Sequence, residues 1–266
     1  MDHAATPHQL TRLTRAGETT RDSDLLVTEA PVEFRLAGVP LAVLMRTPGH
    51  DAELGLGFAI TEGIVLNPDE VAEVVPAGDP DDGDRWSLVL SDGVAVDPEQ
   101  FRRNLYTTSS CGVCGKASID AVRVAALRPP PGPRVTVDTL FGLVDTMMAS
   151  QQSFASTGGI HGAALFTAKG ELIVLREDIG RHNAVDKVVG HASRLRWPIG
   201  EQILLISGRV SFEMVQKAAV AGIPVIAAVS AASSLAVELA EELGLTVIGF
   251  LRDDSCNVYT DPGRVL

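Results

Sequence analysis

The sequence has few cysteines, no long apolar run and no excess of positive charge, and each absence removes a class of protein. Three cysteines among 266 residues do not make an extracellular disulfide framework. No stretch reaches the roughly 18 consecutive apolar residues of a membrane span. The start, Met1 to Thr6, lacks the basic and apolar regions of a secretory signal, so the expectation is a soluble cytoplasmic protein. Lys and Arg number 22 against 34 Asp and Glu, a net charge of −12, which argues against sequence-independent binding to a nucleic-acid duplex. Neither a Walker A pattern nor a GxGxxG is present, leaving the usual ATP and dinucleotide modes without support. Repeats and low-complexity tracts are absent too. What is there is 45% hydrophobic, which excludes disorder for most of the chain and leaves room for one large domain or two modest ones.

Two of the cysteines, Cys111 and Cys114, lie in the stretch Thr107 to Lys116 among small polar residues and glycines. A buried structural cysteine usually lies in an apolar run and is inert. Here Gly112 and Gly115 let the backbone fold tightly and keep both sulfurs reachable, and residues from Gly115 read as a helix start, whose dipole favours thiolate over thiol. Three readings follow. A zinc knuckle would need two more ligands from Cys256, His161 or His182, and no second CxxC exists. A thioredoxin-like pair would need its own βαβ setting, which the preceding hairpins do not supply. Sulfur relay needs an accessible glycine-rich loop and a nucleophilic cysteine, and both are present.

Along the chain, residues 1–24 are polar without an apolar period and predict a poorly ordered arm. Residues 25–127 read as a smaller β-rich domain carrying the cysteine loop. Its strands are Leu25–Val27, Val32–Leu36, Leu41–Met45, Val71–Val75 and Trp86–Leu90, with a helix from Asp51 and a second over about 97–105. The proline-rich stretch 128–134 is the domain boundary. Residues 135–266 alternate apolar strands with amphipathic helices: one continuous helix from Asp138 to about Phe154, strands at 163–167, 171–175, 203–206, 225–229 and 246–250, and helices from Arg181, Ser211 and Ser233. That rhythm predicts an α/β fold with a mostly parallel sheet covered by helices.

Ligands of such sheets bind at the carboxyl ends of the strands. Ile206 is followed by Ser207, Gly208 and Arg209, Val229 by Ser230, and Phe250 by Leu251, Arg252, Asp253, Asp254 and Ser255. Serines before helices often serve only as caps. Arginines at three ends, Arg181, Arg209 and Arg252, favour a phosphate-bearing, nucleotide-like ligand. The segment Arg176 to Lys187 packs six charges and His182 around Gly180, more than capping needs, and a functional role is expected of it. His161 is a weaker candidate, since a lone histidine beside a strand is as often structural.

Taken together, residues 49–65, SSCGVCGKASID at 109–120, TGGIHGAALF at 157–166, REDIGRHNAVDKVVG at 176–190, the stretch from Ser207 to Ser255, and NVYT at 257–260 resemble the FdhD family of formate dehydrogenase accessory sulfurtransferases. The resemblance implies a cytidine-deaminase-like C-terminal domain, a homodimer, and transfer of sulfur from a cysteine desulfurase to the molybdenum cofactor, as molybdopterin guanine dinucleotide, before its insertion into formate dehydrogenase. It implies that Cys111 carries the persulfide with Cys114 as its partner, and that Phe250 to Ser255 bind the guanine dinucleotide. Ser207, Arg209, Ser230 and His182 join that site by the strand-end reading. A cofactor-binding chaperone whose cysteines only dock or gate is the alternative. Deaminase chemistry is not implied, because His161 is followed by Gly162 and Ala163 and the cysteine pair precedes it, unlike the H-x-E…P-C-x-x-C order of zinc deaminases; no structural metal is expected.

Overall fold

The computed structural model describes residues 4–79, 83–98, 100–101 and 129–266. The cysteine segment 107–116, with Cys111 and Cys114, lies outside the described residues.

Three sheets are present among the described residues. The first is a hairpin, β1 (Ala5–Leu13) against β2 (Thr19–Val27), where the polar composition predicts an irregular arm. Both strands are exposed along almost their whole length, so neither shows an apolar alternation. The second sheet has the order β4 (Val39–Arg46), β3 (Ala30–Leu36), β6 (Arg85–Leu90), β5 (Val71–Pro76). In β3 every second residue, Val32, Phe34 and Leu36, is fully buried, the period of a strand with one face on a core. The third sheet has the order β12 (Asn257–Thr260), β11 (Thr246–Gly249), β10 (Val225–Ala228), β9 (Gln202–Ile206), β7 (His161–Thr167), β8 (Leu172–Asp178).

This third sheet corrects the expected mostly parallel arrangement. Strands β9, β10 and β11 are parallel, but β7 runs against both β8 and β9, and β12 against β11. The sheet is mixed, with a parallel centre and antiparallel flanks. The expected single helix from Asp138 is two, α2 (Val137–Ser150) and α3 (Gln152–Thr157), broken at Gln151, which has ψ 87°. Glu177 caps the second, accepting from the Ser153 and Phe154 amides at 2.9 and 2.8 Å.

Both faces of the third sheet are covered. Alternation along β7 puts Ala164 and Phe166 towards α2, against Leu140, Leu143 and Met147. Ala163 and Leu165 face the other way, towards α4 (Arg181–Ser193), α5 (Phe212–Val220) and α6 (Ser234–Leu243). Helix α1 (Asp51–Thr61) then lies between α4 and the second sheet. The larger apolar cluster includes Val32, Phe34 and Leu54 as well as Val188, Met214 and Val247, so residues on both sides of the proline-rich stretch share one core. Among the described residues no helix is long and apolar enough to cross a membrane.

Helix α1 is buried from Leu54 through Thr61, which an amphipathic helix would not be, and two glycines make it possible. A Cβ at Gly55 would lie 2.5 Å from the Phe34 ring, and one at Gly57 would lie 1.8 Å from the Asp186 carbonyl oxygen in α4. Residues two apart on a helix point about 200° apart, so α1 presents bare backbone to the sheet on one side and to α4 on the other. The fit is reciprocal: a Cβ at Gly190 of α4 would lie 1.9 Å from the Glu53 carbonyl oxygen. At the same crossing the buried Lys217 ammonium meets Asp186 at 2.9 Å, Glu62 at 3.0 Å and the Thr61 hydroxyl at 2.8 Å. Burial alone would push the Lys217 pKa down, but Asp186 and Glu62 more than reverse it and hold the ammonium charged.

Gly57→Ala and Gly190→Ala are each expected to destabilise the protein by at least about 2 kcal/mol through overpacking against backbone, read by urea or thermal unfolding. Gly142→Ala, in exposed α2 where an added Cβ meets nothing within 4 Å, is expected to stabilise by about 0.5–1 kcal/mol. Equal effects at the three glycines would refute the close-contact account.

Candidate functional site

The carboxyl ends of β9, β10 and β11 point to one edge of the third sheet. Register places Ala163 opposite Ile206, Ile206 opposite Ala228, and Ala227 opposite Ile248. Because β7 is reversed, its first residue, His161, arrives at this same edge, paired with Asp178 at the end of β8. The edge therefore reads Asp178, His161, Ser207, Val229, Phe250 across five strands.

At the β7–β9 end, the Ser207 hydroxyl oxygen accepts the Gly162 amide at 3.0 Å and lies 3.3 Å from His161 Nδ1. Burial, and then the nearby positive charges of Arg181 and His182, push the His161 imidazole below its ordinary value of 6.5. His182 Nε2 sits 3.3 Å from Glu213, which also accepts from the Ser211 hydroxyl at 2.9 Å. Burial would raise the Glu213 pKa, but His182, Ser211 and Arg181 together hold it below the usual carboxylate range.

At the β10–β11 end, the Phe250 amide donates to the Ser230 carbonyl at 3.0 Å, and Phe250 has a φ of 52°. A bulky residue in the left-handed region is a strained outlier of the kind that clusters at functional sites, and its ring is 43% exposed. Arg252 turns its guanidinium onto the backbone carbonyls of Val229 and Leu251, and its amide donates to the Ser255 carbonyl at 2.9 Å. Asp253, Asp254 and Ser255 are exposed on the turn so formed, and Arg209 is exposed on the loop after β9. Leu251 is the exception among the residues singled out from sequence. Its side chain is fully buried in the smaller apolar cluster, so only its backbone is available at the edge.

The charged segment Arg176 to Lys187 divides into parts with separate duties. Arg176 forms a two-pronged pair with Glu53 of α1 at 2.6 and 2.8 Å, Glu177 caps α3, and Asp186 meets Lys217. Asp178, fully buried, accepts from the Gly180 amide at 2.8 Å, Asn183 at 3.0 Å and the Thr47 amide at 3.1 Å, and pairs with Lys187 at 2.7 Å. Lys187 also donates to the Thr47 carbonyl at 2.8 Å and Asn183 to that of Met45 at 2.8 Å. This staple ties the end of β4 to the turn between β8 and α4. Five of the six charges thus hold structure, and Arg181 is left over at the edge beside His182. His161, the weaker candidate from sequence, is brought to the centre by the reversal of β7, which leaves no trace in the sequence itself. Cys256 is a half-buried thiol whose pKa burial raises.

The class of fold follows from a solved structure from Desulfotalea psychrophila, described as a formate dehydrogenase accessory protein. It superposes with a TM-score of 0.78 over 99% of this chain and 100% of its own, at 23% identity. The family follows from sequence. The model of the FdhD/NarQ family matches residues 27–266, and the chain belongs to that family. A Streptomyces coelicolor protein named Sulfur carrier protein FdhD is 51% identical over 260 residues, covering 94% of this chain and 92% of the relative. The Mycobacterium tuberculosis protein of the same name is 47% identical over 272 residues, covering 98% and 99%.

Because the folded protein binds a proton at His161 less readily than the unfolded chain does, the stability His161 contributes is full above pH 6.5 and is lost as pH falls towards its depressed folded value. The stability difference between the wild type and His161→Asn should therefore shrink on acidification below 6.5, and the His161 ring resonances should titrate below that value by NMR. A pH-independent difference would refute the assignment.

Proposed function

We propose that this chain is a sulfurtransferase that takes persulfide sulfur from a cysteine desulfurase onto Cys111 and delivers it to the molybdenum cofactor, bound as molybdopterin guanine dinucleotide along the strand-end edge, for formate dehydrogenase. The observation that carries the reading is the family match over residues 27–266, which takes in both the cysteine segment and the edge. The names of the relatives at 51% and 47% identity support sulfur carriage in particular. We place the reaction in the cytoplasm, in a homodimer whose C-terminal halves are cytidine-deaminase-like domains used without a metal.

In the loading step the Cys111 thiolate attacks the outer sulfur of the desulfurase persulfide. The S–S bond breaks, the desulfurase cysteine leaves as thiolate, and Cys111 becomes the persulfide. Cys114, three residues on in the sequence, is its partner thiol in this reading. On the cofactor side, the exposed Phe250 ring offers a face on which a purine can stack. The Asp253 and Asp254 carboxylates are acceptors for the N–H groups of guanine. Ser207, Ser230, Arg209 and His182 are polar groups for the phosphates. Arg252 acts through the backbone, holding the β10 and β11 ends together so that Phe250 stands clear.

Incubation with desulfurase and cysteine should add the mass of one sulfur atom to Cys111, and Cys111→Ala should abolish formate dehydrogenase activity in cells that depend on this chain. An unmodified Cys111, or full activity with Cys111→Ala, would overturn sulfur transfer and leave a cofactor-binding chaperone.

A further inference from the structure

We propose that Arg181, with Gly208, Ser207 and His161, forms an anion subsite at the β7–β9 end of the edge, taking a phosphate or pyrophosphate group. That such a group arrives as part of a nucleotide rests on the reading of the edge given above; the subsite itself rests on four observations.

The Arg181 Nε–H is buried and meets no hydrogen-bond acceptor among the described residues. Leaving a buried charged donor unmet is costly. The carboxylates that might have met it are engaged elsewhere: Asp178 with Lys187, Gly180, Asn183 and Thr47, and Glu213 with His182 and Ser211. No ion pair of Arg181 occurs among the described residues.

Second, the arginine is held in position. It is the first residue of α4, and the preceding turn is fixed by Asp178, whose carboxylate accepts from the Gly180 amide and the Asn183 side chain. Third, Gly208 leaves the side chain its space. A Cβ there would lie 3.3 Å from Arg181 Cδ, 3.6 Å from its Cβ and 3.7 Å from His161 Nδ1. The glycine has no positive φ, so its lack of a side chain is not required by its own backbone. Fourth, the neighbours are groups an anion uses. The Ser207 hydroxyl oxygen accepts the Gly162 amide at 3.0 Å and lies 3.3 Å from His161 Nδ1, so hydroxyl and imidazole stand together at this end of the edge. Arg181 and His182 lie close enough to His161 to disfavour its protonated form. Arg209 follows Gly208 on the same loop, exposed and without an ion pair among the described residues.

Of the three arginines that the strand ends supply, Arg252 is taken up by carbonyl groups and Arg209 is in solvent. Arg181 alone combines a buried donor with a fixed backbone, the requirements for a directional contact to an oxyanion.

The test is isothermal titration of the full chain with inorganic pyrophosphate and, separately, with GDP, on the wild type, Arg181→Met and Gly208→Ala. Both probes should bind the wild type, and Arg181→Met should weaken each by about tenfold or more, the loss of one charge-assisted contact. Gly208→Ala retains every charge but displaces the arginine, and should weaken both as well, which a purely long-range charge effect would not do. Circular dichroism and thermal unfolding report whether each variant is folded. Undiminished pyrophosphate affinity in both folded variants overturns the subsite while GDP binding keeps the nucleotide reading alive. Arginine-dependent pyrophosphate binding without GDP binding sustains the subsite and sinks the nucleotide reading. A wild type that binds neither probe overturns both.

Discussion

The contact on which the rest of the structure depends is the approach of α1 to its neighbours without intervening side chains. Gly57 and Gly190 let two helix backbones touch, and Gly55 lets the Phe34 ring press against the opposite side of the same helix. A helix so enclosed can shift neither towards the second sheet nor towards α4. The spacing of α1 from α4 is therefore set by backbone thickness, and its spacing from the second sheet by the Phe34 ring. Into this fixed frame the chain places charges that would be unfavourable anywhere looser. The buried Lys217 is met by Asp186, Glu62 and Thr61, and the buried Lys187 by Asp178 and Thr47. Removing one partner from such a group leaves an uncompensated charge, whereas the intact set adds little net stability. Its effect is to fix register, and the register it fixes is that of the turn carrying Arg181 and His182.

The two halves of the chain are joined at this point. Thr47 ends the strand that leads into α1, and Asp178 ends the strand that leads into α4; each contributes a backbone or side-chain group to the other. The segment containing the cysteines belongs to the first half by sequence and the strand-end edge to the second. The Asp178–Lys187 staple links them directly, as do the Arg176–Glu53 pair and the Lys217–Glu62 and Thr61–Asp186 contacts at the crossing of α1 and α4.

Much of this was legible in the sequence where a segment's neighbours leave a periodic imprint. The apolar strands at 203–206, 225–228 and 246–249 were readable because both faces are covered, and β3 because one face is. The β1–β2 hairpin was not, apart from Leu25–Val27 at the end of β2, since it is exposed on both faces and its Thr, Arg and Asp residues carry no alternation. Nor was β12, an edge strand mostly open to solvent. Strand direction is set by tertiary pairing, so the reversal of β7 and the arrival of His161 at the edge could not be read locally. At the site, the strand-end rule located Ser207, Ser230 and Phe250 on one line. It could not sort the arginines, because whether a guanidinium faces a carbonyl, a carboxylate or nothing depends on partners far away in the chain. The dense charge at 176–187 pointed towards function, and most of it turned out to be bracing.

One consequence concerns kinetics. The edge gathers Arg181, Arg209 and two histidines on a chain whose net charge is −12. Within a Debye length, about 8 Å at physiological ionic strength, an approaching anion experiences the arginines and is drawn in; at low salt, where that length grows, the net charge of the whole molecule repels it from further out. Salt screens the first effect and weakens the second. Moderate ionic strength thus lessens the repulsion of an anion from this edge and also loosens any hold the arginines have on it.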